Sequence, residues 1–372
     1  MAVISMAELQ TIFNQVRLKS MSPAQAKAFH MIRRCRTSSM GYHSDVCMEC
    51  GSVDVSYNSC RNRHCPKCQH SVQQKWVDAQ MAKLLPVGYF HIVFTLPQEL
   101  NTLLLQNQKI LYSLLLQAAG HTLVELAKDA KFLGATTGVT SVLHTWGQNL
   151  SFHPHVHCIV PGGGLSIDGL RFIRSRKKFF IPVKVVSRKF RGKFLYLLRQ
   201  AYDNRELAFF NDATSLAVKD NFLALVNDLY SKDWVVFCKK PFKSPAHVVR
   251  YLGRYTHRVA ISNSRIKSFD GDTVSFTWKD YKDGSKSKVM TLNATEFTRR
   301  FLLHILPHGL VKIRHYGILS SRNIKTMLLK CTLLARTRLF KHSPPKYTKI
   351  CRCCGGSHLV TLLFPRPTCA SP

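Results

Sequence analysis

The sequence predicts an α+β fold with a small zinc-binding module ahead of it, and three observations carry that prediction. Strand patterns are mixed with long helical patterns without a regular strand–helix alternation. Two matched CxxC pairs stand near the N-terminus, and one strand carries histidines at alternate positions. No internal repeat is found.

Residues 1 to about 80 are cysteine-rich, with a helix expected from Ser22-Pro23 through Ala24 to Ile32. Tyr89 to Leu96 reads as a buried strand closed by Pro97. Leu100 to Lys128 has the apolar periodicity of a long helix. Gly138 to Trp146 and Phe152 to Val160 read as two strands joined by the Gly147-Gln148-Asn149 turn, with Gly162-Gly163-Gly164 ending the second. Ser244 to Tyr255 reads as a helix, with Ser244 as its cap and Pro245 at its first position. Val274 to Trp278 and Lys288 to Leu292 form an expected hairpin around Lys282-Asp283-Gly284.

Charge narrows the partner. The 372 residues hold 54 Lys and Arg against 20 Asp and Glu, a net charge of +34. Between Asp168 and Asp203 there are eleven basic residues and no acid, and fourteen basic residues follow Glu296 with no acid after it. A surface this positive needs a polyanion, and nucleic acid is the usual one. No uninterrupted apolar run approaches spanning length, so no membrane partner is expected. The first twenty residues lack a charged region leading into an apolar stretch, so no signal peptide is expected either. With CxxC spacing, the cysteines point to metal sites in a reducing compartment, and the expected location is the cytoplasm.

Cys47-Met48-Glu49-Cys50 and Cys65-Pro66-Lys67-Cys68 make a C-x2-C-x14-C-x2-C pattern. Cys47, Cys50, Cys65 and Cys68 would present four thiolates to a structural zinc. Cys35, Cys60, His43 and His64 lie near enough to replace a ligand or complete a second site. The run Arg61-Asn62-Arg63-His64 places charge beside the metal, and Arg61 and Arg63 are candidate phosphate contacts.

On the strand Phe152 to Val160, His153, His155 and His157 share one face while Val156, Cys158 and Val160 face a core. Imidazoles at alternate positions of a rigid strand can converge on one ion and leave positions open for a phosphate. The third ligand should come from a neighbouring strand. His144 can reach that face, with His153 and His257 as alternatives. Histidine count alone does not choose between this chemistry and that of a zinc hydrolase.

In Arg250 to Arg258, Tyr251 and Tyr255 stand four apart on one helical face, with Arg250, Arg254 and Arg258 at the same interval on an adjoining face. Spacing alone describes a half-buried aromatic helix with a basic edge. Combined with a metal site that polarises a phosphate, a phenol becomes a candidate nucleophile and the arginines candidate DNA contacts.

Five segments together resemble a known family: Cys60 to Gln69, Phe90 to Pro97, His144 through His157, the helix from Tyr251 to His257, and Ile313-Arg314-His315-Tyr316-Gly317. They are similar, in order and from about residue 25 to 325, to the insertion-sequence transposases conventionally numbered as family ninety-one. Those are rolling-circle, two-tyrosine enzymes of the HUH endonuclease class. The resemblance implies an HUH endonuclease-like antiparallel sheet with flanking helices, the HUH pair on His155 and His157, nucleophiles at Tyr251 and Tyr255, and His144 as third ligand. It implies Mg²⁺ or Mn²⁺ as the catalytic ion beside structural Zn²⁺. Single-stranded DNA, transposon ends and the host replication machinery are the implied partners, at a prokaryotic nucleoid. The expected divisions are a zinc-binding region over 1–85, a catalytic domain over 86–265, a basic DNA-binding region over 266–345 and a cysteine-containing tail over 346–372. In that tail Cys351 and Cys354 keep a CxxC spacing without the family's proline. A second zinc site and a disordered basic tail are both open there. A plasmid replication initiator or relaxase of the same chemistry, and a non-enzymatic zinc-bearing DNA-binding protein, are the competing functions.

Overall fold

The computed structural model describes residues 7–175, 181–239, 260–281, 283–336 and 348–365, together with His247, Gly253 and Thr256. The expected Ser244–Tyr255 helix lies outside the described residues except at His247 and Gly253.

The chain begins with α1 (Leu9–Gln15) and α2 (Pro23–Arg33), followed by the hairpin of β1 (Tyr42–Cys47) and β2 (Val53–Tyr57) and by α3 (Gln69–Met81). A capping box sets the start of α2. The Ser22 hydroxyl accepts from the Gln25 N–H while the Gln25 side chain accepts from the Ser22 N–H, so two otherwise unpaired helix-end groups are satisfied.

A seven-stranded antiparallel sheet follows. It contains β3 (Tyr89–Thr95), β4 (Ala135–Trp146), β5 (Phe152–Pro161), β6 (Gly163–Ser166), β7 (Phe172–Arg174) and β8 (Val236–Lys239) in the order β7-β6-β4-β5-β3-β8. The seventh strand comes from far along the chain and is described below. Gly162-Gly163-Gly164 ends β5 as expected, but the sheet continues past it. The run turns the chain into β6, where a Cβ on Gly164 would lie 2.3 Å from the Thr136 carbonyl oxygen. Only glycine allows so close a pairing with β4.

Between β3 and β4 the expected single helix is two, α4 (Asn101–Gln106) and α5 (Gln108–Lys128). The break is at buried Asn107, whose amide donates to the carbonyls of Leu103 and Ala208 and accepts from the Ala208 N–H. Those bonds fix a non-helical backbone (φ −120, ψ 37). By length and composition α5 could cross a membrane. Here its Leu111, Tyr112, Leu115 and Leu116 are fully buried against Phe94, Val156 and Phe190. Phe190 belongs to α6 (Val183–Asp203), which with α7 (Lys219–Ser231) completes the cover over this face. Each such side chain contributes about 1.5–3 kcal/mol through burial.

A second core gathers α1, α2, the meander of β9 (Ile266–Phe269), β10 (Thr273–Asp280) and β11 (Lys286–Asn293), and α8 (Ala294–Leu303) around Phe13, Phe29, Phe276, Phe297 and Phe301. The expected hairpin is thus present as β10 and β11. The seventh strand of the central sheet, β12 (Ile313–Gly317), pairs with β4, placing Ile313 against Val142 and Gly317 against Gly138. The run Ile313-Arg314-His315-Tyr316-Gly317 is a docking strand. Arg314 donates to Ser113 (2.9 Å), and the Tyr316 ring occupies the place of a Cβ on Gly120. Gly317 (φ 61) lies so close to the Thr137 carbonyl that a Cβ would fall 1.9 Å from it. Residues expected as a separate basic region therefore build part of the central sheet. They are followed by α9 (Ile324–Leu334) and, near the C-terminus, β13 (Leu359–Phe364).

The structure corrects the expected cysteine site. Cys47, Cys50, Cys65 and Cys68 do not meet as one tetrad. Cys65 and Cys68 join Cys35 and Cys60, while Cys47 and Cys50 join Cys351 and Cys354, and within each group the sulphurs lie within 4.8 Å of one another. The reason is the sheet β13-β1-β2. β1 leads from Cys35 to Cys47 and β2 leads away from Cys50, so one pair sits at the far end of the hairpin from the other. The inner group is buried in the second core, with Cys35–Cys68 and Cys60–Cys68 separations of 3.5 and 3.6 Å. The edge of a zinc tetrathiolate with ~2.3 Å bonds is about 3.8 Å, so this donor set fits structural zinc.

Candidate metal centre

The strand register assembles the histidines. On β5, His155 and His157 point to the face opposite the α5–α6 core, and β4 sets His144 directly across from His155. Ring centroids are 4.4 Å apart for His144–His157, 4.9 Å for His155–His157 and 5.3 Å for His144–His155. Their ligating nitrogens lie within 4.8 Å of one another. His153 is exposed and stays out of the group, although its carbonyl accepts a 2.6 Å hydrogen bond from His155 Nδ1. His257 lies outside the described residues.

Neighbours missed from sequence hold these rings. His91 on β3 stacks on His157 (5.1 Å, 7°), with 2.8 Å between His91 Nε2 and His157 Nδ1. Its only signal was a polar residue at an inward position of an apolar strand. Trp146 stacks on His144 (4.8 Å, 20°) beyond an irregularity in the β4–β5 register. The hairpin tip is anchored in the second core by Leu150, fully buried at φ 63. Around it Arg265 donates to the Gln148 carbonyl (2.5 Å), and His304 Nε2–H donates to the Leu150 carbonyl (3.3 Å).

Burial keeps the His155 and His157 imidazoles uncharged. Burial holds His155 down to about 4. His157 is pushed well below its ordinary value by burial and by the neighbouring His144, His155 and His91. Neutral imidazole is the ligating form. With Nδ1 of His155 and His157 both engaged, their Nε2 atoms remain to converge on an ion, a donor set that fits a divalent cation with open positions. Among the described residues no carboxylate joins the three histidines.

The remaining candidates divide. Arg61 is exposed beside a polar cleft of about 610 Å³ that is also lined by Arg36, His43 and Lys349. Arg63 turns inward instead, donating to the Leu310 carbonyl (3.0 Å). Tyr251, Tyr255, Arg250, Arg254 and Arg258 lie outside the described residues. Gly253, between the two tyrosines in sequence, is described. A Cβ there would lie 2.3 Å from Val77 of α3, and Val77 packs with Val142 and Ile159 on the histidine side of the sheet.

Comparison with known proteins agrees with this architecture. Residues 138–326, spanning β4, β5 and β12, match a family model described as "Putative transposase". Residues 6–96 match one described as "Transposase zinc-binding domain". The chain is 46% identical over 312 residues to "Putative transposase y4qJ" of Sinorhizobium fredii, covering 84% of this chain and 78% of that one. It is 29% identical over 294 residues to the "Transposase for insertion sequence element IS801" of Pseudomonas savastanoi pv. phaseolicola, covering 77% and 68%. No solved structure matches. A histidine-bearing antiparallel sheet joined to a cysteine-rich module, with both halves matched to transposase families, shows that the chain belongs to the IS91 family of transposases.

Proposed function

We propose that this transposase moves DNA by a rolling-circle route, cutting and rejoining single strands through 5′-phosphotyrosine intermediates. The observation that carries the reading is the convergence of His144, His155 and His157 on one face of the sheet, with Nδ1 of both strand-β5 histidines already engaged. Those three residues would hold Mg²⁺ or Mn²⁺, which when bound polarises the scissile phosphate. His91 acts on His157 through the ring contact, keeping its Nε2 turned toward the site.

Tyr251 and Tyr255 are the proposed nucleophiles. The phenolic oxygen of one forms a bond to phosphorus as the bond from phosphorus to the 3′ oxygen breaks. The departing 3′ oxygen ends protonated, at the cost of the phenol's proton. The phosphodiester is exchanged for a phosphotyrosine ester of similar energy, so a 3′-hydroxyl can reverse the step without ATP. A second tyrosine lets a second strand be cut while the first end is held. The seat of Gly253 on α3 supports this reading. Arg250, Arg254 and Arg258, together with Arg61, are proposed to contact DNA phosphates, a role consistent with the net charge of +34. Transposon ends as the substrate, the host replication machinery as a partner, and a division of labour between the zinc-binding region and the central sheet belong to the same proposal.

The test is covalent adduct formation on single-stranded oligonucleotides carrying transposon-end sequence. A 5′-linked adduct is expected with Mn²⁺, lost in the Tyr251→Phe/Tyr255→Phe double variant and reduced at least 100-fold in His155→Ala. Adducts undiminished in the double variant would remove the tyrosine mechanism. A metal-independent reaction unaffected by His155→Ala would remove the metal centre.

A further inference from the structure

We infer that Cys47, Cys50, Cys351 and Cys354 form a second structural zinc site, in which the metal clasps residues 348–365 onto the N-terminal module. The site joins segments about 300 residues apart in sequence, and the C-terminal half lies beyond the region matched as a zinc-binding domain.

Two equivalent turns face one another. Cys47-Met48-Glu49-Cys50-Gly51 and Cys351-Arg352-Cys353-Cys354-Gly355 share the pattern C-x-x-C-G. In the first, the Gly51 N–H donates to the Cys47 carbonyl (2.9 Å); in the second, the Gly355 N–H donates to the Cys351 carbonyl (3.0 Å). Both glycines are left-handed, at φ 72 and φ 77, and a Cβ on either would meet nothing within 4 Å. Glycine is therefore needed for its backbone conformation, the one that closes a metal-binding knuckle. Amides turn toward sulphur in the second turn, from Cys353 N to Cys351 Sγ and from Gly356 N to Cys354 Sγ, each 3.4 Å. Across the pair, Cys47–Cys354 and Cys50–Cys351 are 3.6 and 3.7 Å apart. That is close to the ~3.8 Å edge of a zinc tetrathiolate.

Apolar burial does not explain why the tail sits here. β13 pairs with β1 over six residues, yet Val360, Leu362 and Leu363 remain 41, 47 and 76% exposed. Its polar contacts include Lys349 and Thr361 on the buried Asp45 carboxylate, and the His358 N–H donating to Glu49 at the surface. An edge strand so held needs a further anchor to offset the entropy of tethering it. A metal shared by both turns supplies it. Cys353 faces solvent and stands outside the tetrad, which makes it the internal control.

The test is zinc counting by native mass spectrometry on the full chain, paired with amide hydrogen exchange. Wild type is expected to carry two zinc ions, Cys351→Ser/Cys354→Ser one, and Cys353→Ser two. The double variant should lose protection across β13 and residues 348–358. One zinc in wild type, or two in the double variant, overturns the proposal. Should the double variant not fold, cobalt-substituted wild type decides. Two tetrathiolate cobalt ions per chain support the clasp and one overturns it. None of these readouts depends on catalysis.

Discussion

The two cysteine tetrads have the same donor atoms and opposite surroundings. The inner one, Cys35, Cys60, Cys65 and Cys68, is buried among the side chains of α1, α2 and the β9–β11 meander. The outer one exposes Cys50 and Cys354 and draws half its thiols from the far end of the chain. The difference teaches that a metal can be part of a core or a fastener for a strand that has little core of its own. In the first case removing it unfolds the module. In the second it frees an edge.

The largest effect is therefore expected at the inner tetrad. Cys68→Ser should abolish cooperative folding, because structural zinc binding of ~10–16 kcal/mol is comparable to or larger than a domain's ~5–15 kcal/mol of stability. A thermal melt matching wild type would break the contrast. Next comes metal exchange. A chelator should remove half of the zinc at least tenfold faster than the rest, and the fast half should be absent from Cys351→Ser/Cys354→Ser. A single phase accounting for both ions would show the two sites to be equivalent.

Acid sharpens the contrast. His64, between Cys60 and Cys65, donates from Nδ1 to Asn62 and accepts the Leu306 N–H at Nε2 (3.1 Å). Burial, then Arg63 and Lys312, hold it down to about 3. The unfolded chain takes up a proton near pH 6.5 and the folded chain resists it. Stability is thus fully present above 6.5 and is lost as pH falls from 6.5 toward 3. By pH 4 the loss is on the order of 3 kcal/mol. The difference between wild-type and His64→Gln melts across this window isolates it from thiolate protonation, and identical pH profiles would refute it. The smallest effect is at the other end of the inner module. Gly253→Ala, forced against Val77, should cost about 1–3 kcal/mol of packing at α3. It should lower adduct formation about tenfold while leaving two zinc ions bound. Unchanged adduct yield would detach α3 from the proposed tyrosine site.

Much of this was legible in the residues. The alternation of His153, His155 and His157 marked one face of a strand, and His144 reads across the hairpin because the Gly147-Gln148-Asn149 turn sets the register. Other features depended on contacts that spacing does not encode. His91 was hidden because a single histidine in an apolar strand is ordinarily a core residue. Asn107 broke a helix only because Ala208 lay beside it to accept and donate. Ile313 to Gly317 could be quoted as a motif, yet its meaning waited on Gly120 and Thr137, which shape the groove it fills.

By itself the sequence determined local geometry and chemistry: which strand carries imidazoles, which turns can present thiols, and that the partner is a polyanion. These follow from side-chain period, glycine conformation and charge, all properties of short stretches. The tertiary structure alone decided partnership. Cys47 and Cys50 are closer in sequence to Cys65 and Cys68 than to Cys351 and Cys354, and proximity along the chain favoured the former. Strand pairing overruled it. Once β1 and β2 form a hairpin, the two CxxC turns are held apart by the length of a strand, and the C-terminal strand delivers to the outer pair the thiols that the inner pair cannot.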